Sequence, residues 1–582
     1  MLQQKAVIKN MDHLGLIAGM IDELKIAETI DDEIPSSSKS KNLSYGEATK
    51  AMILNGLGYV NKQLYLTPLF FKDKPLKRLF GRDVDFSWFN DDALGRTLDK
   101  LFEYGVSELY EKIASRALKI LNLTPSTIHL DSTSFHLDGK YPNQKTKEEK
   151  EKEKGKVKER NGKEEKGNNS EGKWGKGGKE EEYEPTPVFI TQGYSRDHHP
   201  ELNQVVLNLI VEHKAGIPIW MKPADGNKID TQAFANIVKE HINSLKNANN
   251  TKTKVIADAA LFSSKTMEEF KKNNMLFISR VPSKLKQAKE ILKNHNEEEF
   301  IQLDENYQAI QYTVDYEGMK QQWVLYKSSY AKSRGDKTIK KEYQEKEKQE
   351  TKLIEKLQKR AFFCEADARK AFEEKTKKLE CIMISEAKLI SKPKYKTRGR
   401  PKPNAKPDHY EYYWIIETKP NEEYLKQKQN QKSGLFILAT NDMTLSAKEL
   451  LDEYKSQQRI ERGFRFLKSP EFLSDAMFLK NPKRIEAMLM IMTLSLLVYS
   501  ALEYRIRSEL KNQNKSFPNQ LGKPIQNPTA RWVFENFFAI HLLLLNGQEQ
   551  IVGLENKHRL ILELLGSNYM GFYGINGERG AE

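Results

Sequence analysis

The sequence predicts an α/β protein whose sheet-forming core is interrupted by a β-rich, mixed insertion and flanked by an α-helical N-terminal domain and a helical C-terminal region. Three observations predict it. At 582 residues the chain is too long for one compact core, so several domains or one heavily interrupted domain are expected. Near residue 123 the apolar spacing changes from the three-and-four step of amphipathic helices to short β-branched runs. From about 283 to 433 the composition is highly charged, and strand and helix patterning of the earlier kind then resumes.

In chain order, residues 1–122 read as a helical domain. DHLGLIAGMIDELKIAETID, LSYGEATKAMILNGLGYVN and DDALGRTLDKLFEYGVSELYEKIASRALKIL carry the helical period, and Ser44 three residues before Glu47 predicts a capping box. Residues 123–282 form the first part of the core: strands in STIHLDSTSFHL, PVFITQGYS and QVVLNLIVEH, a helix in TQAFANIVKEHINSLK, a strand in KVIADAAL, a helix in SKTMEEFKKNN and a strand in MLFISRVP. Between the first two strands, residues 140–185 hold almost nothing apolar and are expected to be a charged, disordered excursion. Residues 283–433 are the insertion, with strands in QAIQYTVDYEG, QQWVLYKSS and YEYYWIIET and a long helix around KKEYQEKEKQETKLIEKLQKRAFF. Residues 434–515 complete the core with the strand GLFILATN and one helix through LSAKELLDEYKSQQRIERGFRFLK, and 516–582 are expected to be helical.

The formal net charge is +14 and the pI about 9.1, which favours a polyanionic partner, because clustered Lys and Arg release condensed counterions on meeting phosphates. Only Cys364 and Cys381 occur; this excludes a disulfide framework or a cysteine-based zinc site and suits a reducing compartment such as the cytoplasm. The opening MLQQKAVIKNMDHLGL has no signal-peptide core. The run from Ala487 to Leu502 is shorter than a spanning helix needs and is broken by Thr493, Ser495 and Ser500; it reads as a buried core helix, with no membrane partner.

Three acids stand where strands and a helix bring them together. Alternation places Asp131 on one face of its strand with His129 and Thr133, Asp258 ends the strand VIAD, and Glu461 lies on the helix after the insertion. Clustered carboxylates raise one another's pKa unless a cation intervenes, so the cluster implies metal. Hard oxygen ligands favour Mg²⁺ or Mn²⁺, and two ions would activate a water or 3′-hydroxyl and stabilise the leaving oxygen. An Asp after an apolar strand is also commonly a turn residue or helix cap.

HLDSTSFHLDG, VIADAALFS and YKSQQRIERGFRFLK, in that order, resemble the three catalytic regions of the DDE transposases of bacterial insertion sequences, in particular the IS-four superfamily and its IS-sixteen-thirty-four branch. Tyr454, Glu461 and Lys468 match the spaced tyrosine, glutamate and lysine of that superfamily's signature, and Gln457 stands where arginine is expected. The stretches GYSRDHHPELNQVVLNLIV, PADGNKIDTQAF and LGRTLDKL extend the resemblance over nearly the whole chain. It implies an RNase H-like catalytic fold with Asp131, Asp258 and Glu461 as metal ligands. It also implies phosphate contacts from Tyr454, Gln457, Arg459, Arg462, Arg465 and Lys468, double-stranded DNA at terminal inverted repeats and target as partner, and a homodimeric synaptic complex. Seven-residue spacing brings Tyr454, Glu461 and Lys468 near one helix face. A nuclease on the same fold that cuts without joining, or a DNA-binding protein without catalysis, are the alternatives.

Secondary signals remain. Arg398 and Arg400 in KTRGRPKP resemble an AT-hook core, against a plain basic, proline-punctuated loop. Arg280 follows a strand and is a candidate phosphate contact. Tyr194 and Trp220 are candidates to stack on a flipped base but are expected in the core. His198 and His199 are expected in a loop near the catalytic face, not in a zinc site.

Overall fold

The computed structural model describes residues 6–35, 42–59, 64–139, 141, 186–194, 199–228, 237, 253–396, 406–431, 434–469 and 479–575, with the backbone alone at 331, 334, 335, 430, 431, 458–461 and 464. The charged stretch expected at 140–185, apart from Tyr141, and the helix expected at 231–246, apart from Ile237, lie outside the described residues. The chain divides into two compact units, Met1–Ser279 with Asp452–Glu582, and Arg280–Leu451.

The first unit contains β1 (Ala6–Asn10), β2 (Thr127–Leu137), β3 (Asn203–Glu212), β4 (Pro218–Ala224), β5 (Lys254–Ala257) and β6 (Leu276–Arg280). Its main strands run in the order β4-β3-β2-β5-β6. β2 and β4 lie antiparallel to β3, whereas β5 is parallel to both β2 and β6. Parallel neighbours need a crossover, and helix Ser264–Lys272 supplies the one between β5 and β6, with Ser263 as its cap and Thr266, Met267 and Phe270 as its buried face. β3 is buried almost throughout, as expected of a strand covered on both sides.

The strand expected at PVFITQGYS is not formed over the described residues, where Thr191 makes one bridge to Gln204. The third early strand is instead β4, which Pro218 and Pro223 disguise in sequence. Proline is tolerated there because β4 is terminal in this strand order.

Helices Leu14–Glu23, Tyr45–Leu57, Asp91–Tyr104 and Val106–Ile120 gather around helix Pro482–Asn512. The capping box is present: Ser44 Oγ accepts the Glu47 N–H at 3.0 Å, and Glu47 Oε2 accepts the Ser44 N–H at 2.9 Å. Helix Pro482–Asn512 is long and apolar enough to cross a membrane, yet 94% of its most apolar window is buried within the fold. The hydroxyls of Thr493 and Ser495 donate to Leu489 O at 2.7 Å and Ile491 O at 2.9 Å, which satisfies them inside the core. Near its start Arg484 forks onto Asp99 through two 2.8 Å hydrogen bonds, lying over Gly95, where a Cβ would meet the guanidinium at 2.7 Å.

The C-terminal region is not wholly helical. Strands His541–Leu545 and Gln548–Val552 form a hairpin whose first strand pairs with β1, and Asn546 and Gly547 turn it with φ of +54° and +82°. Asn-Gly is the dipeptide such a two-residue turn favours, because both central residues need positive φ.

The second unit contains β7 (Ile301–Asp304), β8 (Tyr307–Tyr316), β9 (Met319–Ser328), β10 (Ile382–Lys394), β11 (His409–Pro420) and β12 (Leu435–Thr440). Within it β12-β9-β8-β7 follow one another antiparallel. β10 and β11 form a separate ribbon over helices Ser329–Lys359 and Glu365–Thr376, around a core that includes Trp414, Ile416 and Ile354. Buried Glu350 ties the long helix to the ribbon, its carboxylate accepting the N–H groups of Glu380, Cys381 and Ile382 at 3.1, 2.9 and 3.1 Å.

Candidate active site

β2 and β5 set the site through their register. Thr127, Ile128 and His129 stand opposite Lys254, Val255 and Ile256, each partner 127 residues further along. Asp258 stands the same distance beyond Asp131, one residue past the end of β5, so the register continued beyond its last pair carries the two acids to one level, and alternation turns Asp131 to the face of His129. Asp131 is partly buried in mid-strand, and its Oδ1 accepts the Ser132 N–H at 2.8 Å. Asp258 follows the last residue of β5 and caps the short helix Ala259–Leu261, Oδ1 accepting the Ala260 N–H at 2.8 Å, while its carbonyl accepts the Ser279 hydroxyl at 2.8 Å. The capping alternative read from sequence therefore holds for Asp258, and a cap that uses one carboxylate oxygen is compatible with metal ligation.

The single helix expected across Glu461 is broken. Helix Ala447–Lys455 ends, Ser456 and Gln457 form a turn, and helix Gln458–Leu467 begins afresh. Tyr454 thus lies on the first helix and Lys468 in the turn after the second, so the seven-residue spacing does not run along one helix face. Gln457 is buried, and an amide is less costly to bury than the guanidinium expected there.

Chain contacts advance along β2 in sequence order. Lys254, level with Thr127, is bridged to both carboxylate oxygens of Glu453 at 3.1 Å. Ser456 then meets His129 and His213, and helix Gln458–Leu467 packs on β2. Its other side rests on helix Pro482–Asn512: Phe466 packs on Tyr499 with ring centroids 4.4 Å apart, and Gly463 sits where a Cβ would be 3.3 Å from Leu496. Glu461 and Arg459 ride on this helix, and their side chains lie outside the described residues. Among the described residues no three His, Cys, Asp or Glu side chains gather for an ion. The oxygen donors of Asp131 and Asp258 fit a hard divalent cation.

Arg462 and Arg465 are exposed on the helix, and Tyr454 and Lys468 are partly buried. Arg280 ends β6 exposed, its guanidinium 5.6 Å from the Phe436 ring centroid. Arg398, Arg400 and His198 lie outside the described residues. His199 is exposed and bonds Glu201 at 3.1 Å. Trp220 is core, as expected, but Tyr194 is 87% exposed, against expectation: with its segment not forming a strand, nothing draws the ring into the sheet. Sequence reasoning singled out neither His213 nor Ser456, the latter lying inside YKSQQRIERGFRFLK but at no position of the spaced signature; the one available signal was His129, two residues before Asp131 on its face.

Residues 123–498 match the family model described as transposase DDE domain, and residues 6–115 match a domain of unknown function (DUF4277). No curated protein matches the chain. Among solved structures, the cryo-EM structure of a piggyBac transposase synaptic complex with hairpin DNA is similar at 9% identity and a TM-score of 0.37, covering 96% of this chain and 83% of that one.

Proposed function

We propose a reaction from the premise that this chain belongs to the transposase DDE domain family and is a DDE-type transposase: it cleaves the terminal inverted repeats of an insertion sequence and joins the freed ends to target DNA. The register that brings Asp131 level with Asp258, beside the strand on which the Glu461 helix packs, is the observation that carries this reading. The order β4-β3-β2-β5-β6, antiparallel then parallel, supports an RNase H-like core. The spacing of Tyr454, Glu461 and Lys468 supports the IS-four superfamily, its IS-sixteen-thirty-four branch and a bacterial cytoplasmic setting.

Asp131, Asp258 and Glu461 hold two divalent cations, Mg²⁺ or Mn²⁺, which when bound supply charge stabilisation and a more acidic water or 3′-hydroxyl. The backbone N–H groups of Ser132 and Ala260 fix the two aspartates in orientation before DNA arrives. Arg459, Arg462 and Arg465 hold phosphates flanking the scissile bond, with Tyr454 and Lys468 positioning the reacting one. Hydrolysis breaks the P–O3′ bond at each element end; the freed 3′-hydroxyl then attacks a target phosphorus, forming a new P–O bond and expelling the target strand's own 3′ oxygen. Joining two ends calls for a homodimeric synaptic complex, with the helical region 1–122 as the end-binding part.

The test is cleavage and joining of a labelled duplex carrying the element's end, comparing wild type with Glu461→Gln in Mg²⁺ and in EDTA. Wild type cuts and joins only with metal, and the variant binds but does neither. Cutting without joining would indicate a nuclease, and binding without reaction a DNA-binding protein.

A further inference from the structure

We propose that His129, His213 and Ser456 form a clasp that positions helix Gln458–Leu467, and with it Glu461, against the strand carrying Asp131. The inference rests on the acid assignment above. The three side chains come from near the start of β2, the turn that follows β3 and the turn between the two helices. His129 Nε2 lies 2.9 Å from His213 Nδ1, and the two rings stack at 5.1 Å with planes 9° apart. Ser456 Oγ lies 3.3 Å from the first of these nitrogens and 3.2 Å from the second, and its hydroxyl donates to Glu453 O at 2.5 Å.

Proton placement makes the cluster specific. A hydroxyl that donates to a carbonyl can only accept from a ring, and two facing ring nitrogens share one hydrogen, so a single N–H serves both the other ring and Ser456. Apolar side chains would fill this space equally well. A part-buried polar network instead imposes one arrangement on its members. Here the arrangement fixes the turn five residues before Glu461 to the strand position two residues before Asp131. Little chain lies between clasp and acid on either side, so a shift at Ser456 passes directly into the spacing of the ligands.

The experiment uses the full chain and Mn²⁺ alone as probe. It follows calorimetric Mn²⁺ binding, hydrogen exchange across 458–467, thermal unfolding and duplex binding in EDTA for wild type, Ser456→Ala, Ser456→Thr and Asp131→Asn. Ser456→Ala is expected to weaken Mn²⁺ binding about 10-fold, the lower end for partners that orient metal ligands, and to speed exchange in 458–467. Its melting temperature and duplex affinity stay at wild-type values, and Ser456→Thr, which keeps the hydroxyl, recovers Mn²⁺ binding. Wild-type Mn²⁺ affinity in Ser456→Ala, or a loss that merely follows a fall in melting temperature, overturns the clasp. If wild type takes up no Mn²⁺, or Asp131→Asn takes it up equally, the acid assignment itself fails and the clasp falls with it.

Discussion

Asp131 and Asp258 each spend one oxygen on a backbone N–H, which makes their substitutions separable. Asparagine keeps that acceptor and loses the charge. Asp131→Asn and Asp258→Asn should therefore melt like wild type and bind duplex, while cleavage falls by roughly 10²–10³-fold or more, the loss seen when one preorganised stabilising group is removed. Asp258→Ala should in addition lose about 1 kcal/mol of stability, because the cap on Ala260 goes with the carboxylate. A second residue reports on pH. Burial holds the His13 imidazole at about 4, well below its usual 6.5, while Nε2 bonds Leu57 O at 2.8 Å and the ring stacks on Phe534. The folded form therefore binds fewer protons than the unfolded form between those values. Its stabilising contribution is complete above pH 6.5 and is lost as the pH falls towards 4, by about 2–3 kcal/mol at pH 4.5. Urea unfolding of the first unit at pH 7.5 and 4.5 checks this; His13→Gln should flatten the acid limb. At this scale the placement of Asp131 in a strand and of Asp258 at a strand end was legible from local pattern, whereas the contact of His213 and Ser456 with His129 was not, since it joins partners distant in sequence.

Elements were read correctly where local signals and packing agree, as at the Ser44 capping box and at β2, β3 and β5. They were misread where the two conflict. The prolines of β4 argue against a strand, and only its place at the end of the strand order reconciles them. The break at Ser456-Gln457 carries no Gly or Pro; tertiary contacts made by Ser456, and the burial of Gln457, end that helix. The hairpin at Asn546-Gly547 was legible and overlooked, because the leucine run before it suits a helix as well as a strand. In the second unit the join between long helix and ribbon depends on Glu350. Glu350→Ala should leave three N–H groups, two of them buried, without that acceptor and cost the unit about 2–3 kcal/mol, with faster hydrogen exchange at Glu380–Ile382 as the specific readout.

At the scale of the whole chain, the helical block 1–122 looked self-sufficient in sequence, yet its core is completed from far away. Helix Pro482–Asn512 lies among its helices, β1 pairs with His541–Leu545, and the rings of Tyr573 and Tyr569 lie over Gly15 and Gly19, where a Cβ would meet them at 2.7 Å. A fragment of residues 6–122 should therefore show little cooperative unfolding by circular dichroism until residues 482–575 are supplied. Gly19→Ala in the full chain should cost about 1–3 kcal/mol by overpacking, relieved when Tyr569 is also shortened to Leu. Sequence periodicity cannot reveal such completion, since it reports which face is apolar and not which distant segment covers it. The β2–β3 ladder carries a practical corollary. Leu137 and Asn203 are paired across it and Thr191 bridges Gln204, so the described chain on either side of residues 142–185 is tied to the start of β3. Loop closure grows by only about 0.6 kcal/mol per doubling of length, so cargo grafted between Tyr141 and Thr186, such as a fluorescent protein or a second DNA-reading module, should leave the two aspartates in register. The enzyme thus offers a port for added modules.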